Sequence, residues 1–154
     1  MSHPETPATA AIAVLGIPFS VVQIGHVTSA AEAATAAGVP LEALLRTIVV
    51  RRGEDDHLLV VAPASRQFDW AKLRAHLGVS RLSLPDAAAA KEITGYERGT
   101  ITPFGAPTNL SVIVDAAVLS QERVSIGGGA HGVQLQLTPA DLISATGATV
   151  VPLD

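Results

Sequence analysis

Apolar positions along the chain switch repeatedly between a helical and a strand-like spacing. Ala8, Ala11, Ile12 and Leu15 share one helical face, Thr6-Pro7 reads as a cap followed by a first-turn proline, and Gly16 is a natural stop. Phe19 to Ile24 reads as a strand. Ser29-Ala-Ala-Glu32 has the spacing of a capping box and opens an alanine-rich helix ending at Gly38, with a further turn predicted over Pro40 to Leu44. Leu45 to Arg52 and His57 to Ala62 are β-branched runs on either side of the polar turn Gly53 to Asp56, and they predict a hairpin.

Asp69 caps a helix whose predicted buried stripe is Trp70, Leu73 and Leu77, with Gly78 as its end. A short strand is expected over Arg81 to Leu84. Asp86 then caps an alanine-rich helix running to about Thr94. Gly95 to Leu110 has no regular period and carries several glycines and prolines, and a segment of that length between well-patterned neighbours points to function. Strands follow at Ser111 to Asp115, Arg123 to Ile126 and Val133 to Leu137, the last two joined by the glycine-rich turn 127–132. Thr138-Pro139 caps a last helix to about Ala145, and Thr149 to Val151 reads as a final strand. Regular strand–helix–strand alternation is missing, which argues against a doubly wound parallel sheet. The expected fold is α+β: a mixed, largely antiparallel sheet, curled or barrel-like, with helices packed outside, in one domain over residues 1–154.

Composition narrows the chemistry. Hydrophobic residues make up 48% of the chain and aromatics 3%, so the core must be aliphatic. Cysteine is absent, which removes disulfides, thiolate nucleophiles and thiolate metal sites. The five histidines, His3, His26, His57, His76 and His131, have no metal-ligand spacing, so neither a metal nor a cofactor is expected. No apolar run is long enough to span a bilayer and no basic leader is seen, so a cytoplasmic protein that does not enter membranes is expected. A net charge of −4 gives no support for generic nucleic-acid binding, although it leaves room for a protein that grips only an RNA terminus.

Several residues stand out against this background. Arg46 lies in an otherwise apolar strand, so its charge must reach a cleft, a sheet edge, a partner or open solvent. The stretch Thr94-Gly-Tyr-Glu-Arg-Gly-Thr-Ile-Thr-Pro-Phe-Gly105 fixes a backbone path with glycines at 95, 99 and 105, and exposes N–H groups suited to a carbonyl or oxyanion, unless it is a purely structural loop. Gly127, Gly128 and Gly129 could cradle an anion or simply turn a hairpin. His26 and His131 sit where site residues often sit, and Asp115 could orient a ligand or cap the following turn.

The series Asp69-Trp-Ala-Lys-Leu, Thr94 to Gly105, Val112-Ile-Val-Asp115, the strand–glycine–strand at 124 to 137 and Thr138-Pro-Ala-Asp-Leu142 resembles the YbaK family, over about residues 8 to 152. That family includes stand-alone proteins and the editing domain inserted in bacterial prolyl-tRNA synthetases. The resemblance implies hydrolysis of the ester joining a wrong amino acid to tRNA. Its partners would be the tRNA 3′ end and an aminoacyl-tRNA synthetase. It implies a reaction without protein nucleophile or metal, in which a water or the terminal ribose hydroxyl attacks the ester. Gly99, Thr100 and Ile101 match the family's substrate loop as oxyanion donors. Thr102, Pro103, Phe104, Gly105, Thr47, His26, Asp115, His131 and the 127–129 turn would shape the substrate site. The family's strand carries a lysine followed by threonine where this chain has Arg46-Thr47, and Thr100 stands where many members have glycine. Arginine keeps the charge but not the shape or the titration of lysine. The alternative is a module that keeps the fold and binds tRNA ends, a small molecule or a protein without catalysis.

Overall fold

The computed structural model describes residues 4–107 and 110–154, so His3, and residues 108 and 109 of the long irregular segment, lie outside the described residues. In chain order the elements are α1 (Pro7–Val14), β1 (Ser20–Gln23), α2 (Ala30–Ala37), β2 (Leu45–Gly53), β3 (Asp56–Pro63), α3 (Trp70–Leu77), α4 (Ala87–Thr94), β4 (Ser111–Asp115), β5 (Val124–Gly127), β6 (Val133–Leu137), α5 (Pro139–Thr146) and β7 (Thr149–Val151). Short 3-10 turns occupy Leu41–Ala43 and Ala116–Ser120.

The strands form two sheets. One is three-stranded and antiparallel, in the order β1-β6-β5, and the other is four-stranded, in the order β2-β3-β4-β7. In the larger sheet β2 and β3 form the predicted hairpin, with Arg46 opposite Ala62, while β3–β4 and β4–β7 are parallel pairs. Each parallel pair needs a long crossover. The β3–β4 crossover supplies α3, α4 and the glycine loop, and the β4–β7 crossover supplies β5, β6 and α5. The two sheets touch through a bridge between Leu44 and Ser125 and do not close into a barrel.

The larger sheet is buried on both faces, which explains the near-continuous apolar run of β3. Alternate residues Leu59, Val61, Val112 and Val114 meet α1, α5 and the inner face of the smaller sheet. Their neighbours Val50, Leu58, Val60 and Ile113 meet Phe68 and Leu73 of α3 and its approach. Each fully buried aliphatic side chain contributes roughly 1.5–3 kcal/mol, so a core that is mainly aliphatic, with Phe68, Tyr96 and Phe104 as buried aromatics, holds the two layers together.

Local chemistry departs from the sequence pattern in three places. The capping box forms at Thr6–Thr9, where each threonine satisfies the other's backbone N–H. At Ser29 only half of it forms: Ser29 Oγ accepts from the Glu32 N–H at 3.1 Å, but the Glu32 carboxylate turns to Thr28. Ala8 and Ile12 are fully buried on α1, whereas Leu15 is 51% exposed because the helix ends before it. The strand expected at Arg81 to Leu84 reduces to one antiparallel bridge between Ser83 and Arg51, since no neighbouring strand continues it.

Candidate active site

The site is built on the free edge of β2 and on the loop that follows α4. Within β2, Arg51 exchanges N–H···O bonds outward with Ser83 at 2.8 and 3.0 Å, on the side away from β3. In an antiparallel pair such groups alternate, so Thr47 and Val49 also direct their N–H and C=O outward. Between the bridges at Leu44 and Arg51 that edge carries no partner strand among the described residues.

The loop starts where α4 stops. Gly95 closes the helix at φ +82°, and Thr100 N–H donates to Glu97 O at 2.9 Å to form a four-residue turn. Gly99 is the third residue of that turn, with φ +91°, the position where positive φ selects glycine. Behind the turn, a Cβ on Gly127 would lie 3.2 Å from Ile101 O and 3.6 Å from Thr100 O, so β5 admits close backbone approach. Those carbonyls face β5. Because trans peptides hold N–H opposite C=O, the Ile101 N–H faces away from it. Neither Gly99 nor Ile101 N–H donates to a protein acceptor among the described residues.

Two cavities meet at Gly99. One of about 510 Å³ is lined by Arg46, Thr47 and Val49 of β2 together with Arg98, Gly99 and Ile101. The other, about 820 Å³, is lined by His26, His131, Gln23, Gln134 and Ala33, again with Gly99. The first is cationic and apolar, while the second offers amides, hydroxyls and two exposed imidazoles. His131 stands with Nε2 3.5 Å from Glu97, which Lys91 also approaches at 3.5 Å.

Arg46 is half-buried, and desolvation lowers its pKa from the ordinary arginine value without threatening its charge near neutral pH. Its Nη2 makes a long contact of 3.5 Å with Arg66 O, while its Nε is buried without a partner. Thr47 Oγ1 beside it is likewise buried and unpaired. A buried donor left unsatisfied costs about 1–3 kcal/mol, so this corner of the cavity is polar and incomplete without an occupant.

The other proposed site residues divide. Asp115 is fully buried and lines neither cavity: it pairs with Arg66 at 2.9 Å and accepts from the N–H groups of Ala117 and Leu153. It therefore caps the following turn and anchors Arg66, whose carbonyl meets Arg46. Thr100 N–H and Oγ1 are both spent on Glu97 O, so Thr100 is not a free donor. Thr102 is fully buried behind the loop with its hydroxyl unpaired. Pro103, Phe104 and Gly105 turn away to border α1 and α5, where Tyr96 OH donates to Phe104 O at 2.6 Å. Gly128 and Gly129 pack on Thr6, Ala8 and Tyr96, with Thr6 Oγ1 donating to Gly128 O at 2.6 Å, so they turn a hairpin and line neither cavity. Arg98, Gln23 and Gln134 were missed from sequence: exposed polar residues in a loop (Arg98) or on an edge strand (Gln23) carry no pattern, and Gln134, half-buried on the central strand β6, reads as an ordinary polar position of an alternating strand.

The family model of the aminoacyl-tRNA editing domain matches residues 25–145, which include the loop, the whole lining of the smaller cavity and most of that of the larger. This chain belongs to the aminoacyl-tRNA editing domain family. Among family relatives, the multifunctional Ser/Thr-tRNA deacylase ProXp-y of Escherichia coli K12 is 28% identical over 92 residues, 59% of this chain and 55% of that protein. The proline–tRNA ligase of Thermosipho melanesiensis is 24% identical over 107 residues, 70% of this chain but 19% of the ligase. The editing domain thus spans about half of the first relative and a fifth of the second. A crystal structure of a candidate trans-editing enzyme for prolyl-tRNA synthetase superimposes with a TM-score of 0.88 at 27% identity, covering 96% of this chain and 94% of that one. No helix among the described residues of this editing domain is long and apolar enough to cross a membrane.

Proposed function

We propose that this editing domain hydrolyses the ester of mischarged aminoacyl-tRNA, acting in trans on tRNA released by a synthetase. The observation that carries this reading is the convergence of Arg46 with Gly99 and Ile101 on one cavity that opens, at Gly99, into a second. Such an ester has a polyanionic RNA on one side and an uncharged or cationic aminoacyl group on the other. Phosphate and ribose belong beside Arg46 and Arg98, and the aminoacyl group belongs in the larger cavity, against α2, His26 and His131. The carbonyl then sits at the shared residue, Gly99.

The chemistry follows from that placement. A water, hydrogen-bonded by the free ribose hydroxyl, attacks the carbonyl carbon and releases a proton to solvent, and negative charge develops on the carbonyl oxygen. The unsatisfied N–H groups of Gly99 and Ile101, with the Arg46 guanidinium, stabilise that charge. The bond from carbonyl carbon to ribose oxygen breaks, the ribose oxygen takes a proton from solvent, and amino acid and tRNA leave. Holding the reactants in place provides much of the acceleration, because the ester is already activated. Editing of this kind supplies discrimination that binding alone cannot, since one methylene is worth only about 1–3 kcal/mol. By likeness to the Escherichia coli deacylase, seryl and threonyl esters are the first substrates to try. Incubating the protein with tRNAs carrying serine, threonine, alanine or cysteine tests the reading. Hydrolysis above buffer for at least one, lowered about a hundred-fold or more by Arg46→Ala, is expected, and no hydrolysis of any would refute it.

A further inference from the structure

The free edge of β2 leads out of the smaller cavity, and its far end is again cationic. Beyond the bridge at Ser83, a second depression of about 250 Å³ is lined by Arg51, Arg52 and Arg81 with Ser83. Arg46, Arg98, Arg51, Arg52 and Arg81 account for half of the chain's 10 lysines and arginines, in a protein of net charge −4. Clustering of this kind against the overall charge is the footprint of a polyanion. Arg52 is neutralised by Asp56 at 2.9 Å, but Arg51 and Arg81 are exposed and make no ion pair or hydrogen bond through their side chains among the described residues.

Between the two ends lie the outward N–H groups of Thr47 and Val49 and the side chains of Leu84, 57% exposed, and Pro85. Those groups supply phosphate donors and an apolar surface against which a base can rest. From residue 46 to residue 51 a strand advances about 17 Å. That length accommodates on the order of five phosphates of a helical nucleic-acid strand, at about 3.4 Å each. Asp86, between Pro85 and Ala87 of the smaller cavity's lining, accepts from the Ala89 N–H as the cap of α4, while Glu54, Asp55 and Asp56 sit beyond Arg52 on the hairpin turn and mark where the path ends.

We propose that the β2 edge is a phosphate track: RNA leaving the cavity runs along β2 from Arg46 and Arg98 to Arg51 and Arg81. The track rests on the deacylase reading for its direction, because the reacting 3′ end is what fixes Gly99 as the start. It assigns Arg51, roughly 17 Å along β2 from Arg46, and its neighbour Arg81 to holding the body of the acceptor strand.

The test compares a full-length mischarged tRNA with the same aminoacyl ester on a CCA trinucleotide, too short to reach Arg51. For R51Q/R81Q, kcat/KM on the tRNA should fall at least ten-fold through KM. The slope of log affinity against log salt should shrink by about 1.4–1.8. Hydrolysis of the trinucleotide should stay within two-fold of the parent. Arg123→Glu, which removes the same charge from the smaller sheet, should change neither, which separates a track from a general charge effect. Unaltered tRNA kinetics and salt slope in R51Q/R81Q would overturn the track, as would an equal effect of Arg123→Glu. If the parent hydrolyses neither substrate, the deacylase reading fails while the track is still decided by the salt slope for binding an uncharged acceptor-stem RNA hairpin: retention of the Arg51/Arg81 contribution supports it, and its loss overturns it.

Discussion

The loop from Gly95 to Gly105 has two halves built from the same residue types that do opposite things. Gly99 borders both cavities and Ile101 the smaller one, with backbone donors left free, and among the described residues only the His131 ring approaches a Cβ at Gly99, at 3.7 Å. At Gly105 a Cβ would lie 2.6 Å from Tyr96 OH and 2.9 Å from Pro7 O, against the start of α1. One half opens on the cavities in which we propose that the ester binds. The other is closed because it ties the loop to the core. A glycine with positive φ marks both, so backbone conformation alone does not distinguish a site from an anchor.

The largest expected effect breaks the anchor. Gly105→Ala meets backbone as well as the Tyr96 hydroxyl, at φ +77°, and the Pro7 carbonyl cannot move without displacing the buried cap of α1. Overpacking plus a strained left-handed residue should cost about 3 kcal/mol or more, read as a lowered denaturation midpoint. A midpoint within 0.5 kcal/mol of the parent, an estimate typical of surface changes, would show that this half is not an anchor.

The open half should respond in activity rather than stability. Arg46→Ala should lower kcat/KM on the responsive mischarged tRNA by about 10²–10³, the range for losing one group that stabilises an oxyanion. Its thermal midpoint should change little, because Arg46 has only one long hydrogen bond to lose. Arg46→Lys restores charge without the planar fork and should recover a large part of that loss. If lysine is no better than alanine, the guanidinium shape, and not the charge, holds the substrate. Gly99→Ala should cost about ten-fold or more in kcat, through displacement of the turn, with roughly 1 kcal/mol of strain in stability. An effect on stability as large as that of Gly105→Ala would erase the difference between the halves.

How much of this was legible beforehand divides along the same line. Elements with local chemistry were readable: caps at Thr6, Asp69, Asp86 and Thr138, glycine stops at 38 and 78, and the β2–β3 hairpin all form as the pattern predicts. Residues placed by long-range packing were not. Arg46 reached the cavity as one of several destinations its strand allowed, whereas Asp115, with an equally suggestive place at a strand end, turned inward to Arg66. The two differ in which face of the sheet end finds a cation or a void, and no spacing records that. Arg98 was invisible because an exposed arginine in a loop has no period. The parallel pairing of β4 with β3 and β7 also follows from crossovers whose ends only the fold brings together.

The smallest effect sharpens the anchor from its own hydrogen bond. Tyr96 is 3% exposed, its hydroxyl donates to Phe104 O, and desolvation pushes its pKa up to about 12 from 10.0. The folded state therefore holds the phenolic proton more tightly than the unfolded chain. Stability from this group is fully present below pH 10, and is lost as pH rises toward 12, by a few kcal/mol at most. Tyr96→Phe removes both the bond and the titration. At neutral pH it should cost about 1–2 kcal/mol, since Phe104 O loses its donor. Between pH 10 and 12 its stability should fall less steeply than the parent's, so the two curves converge. Parallel curves across that range would mean that the phenol titrates freely, and that packing at Gly105, without the hydroxyl, holds the closed half of the loop.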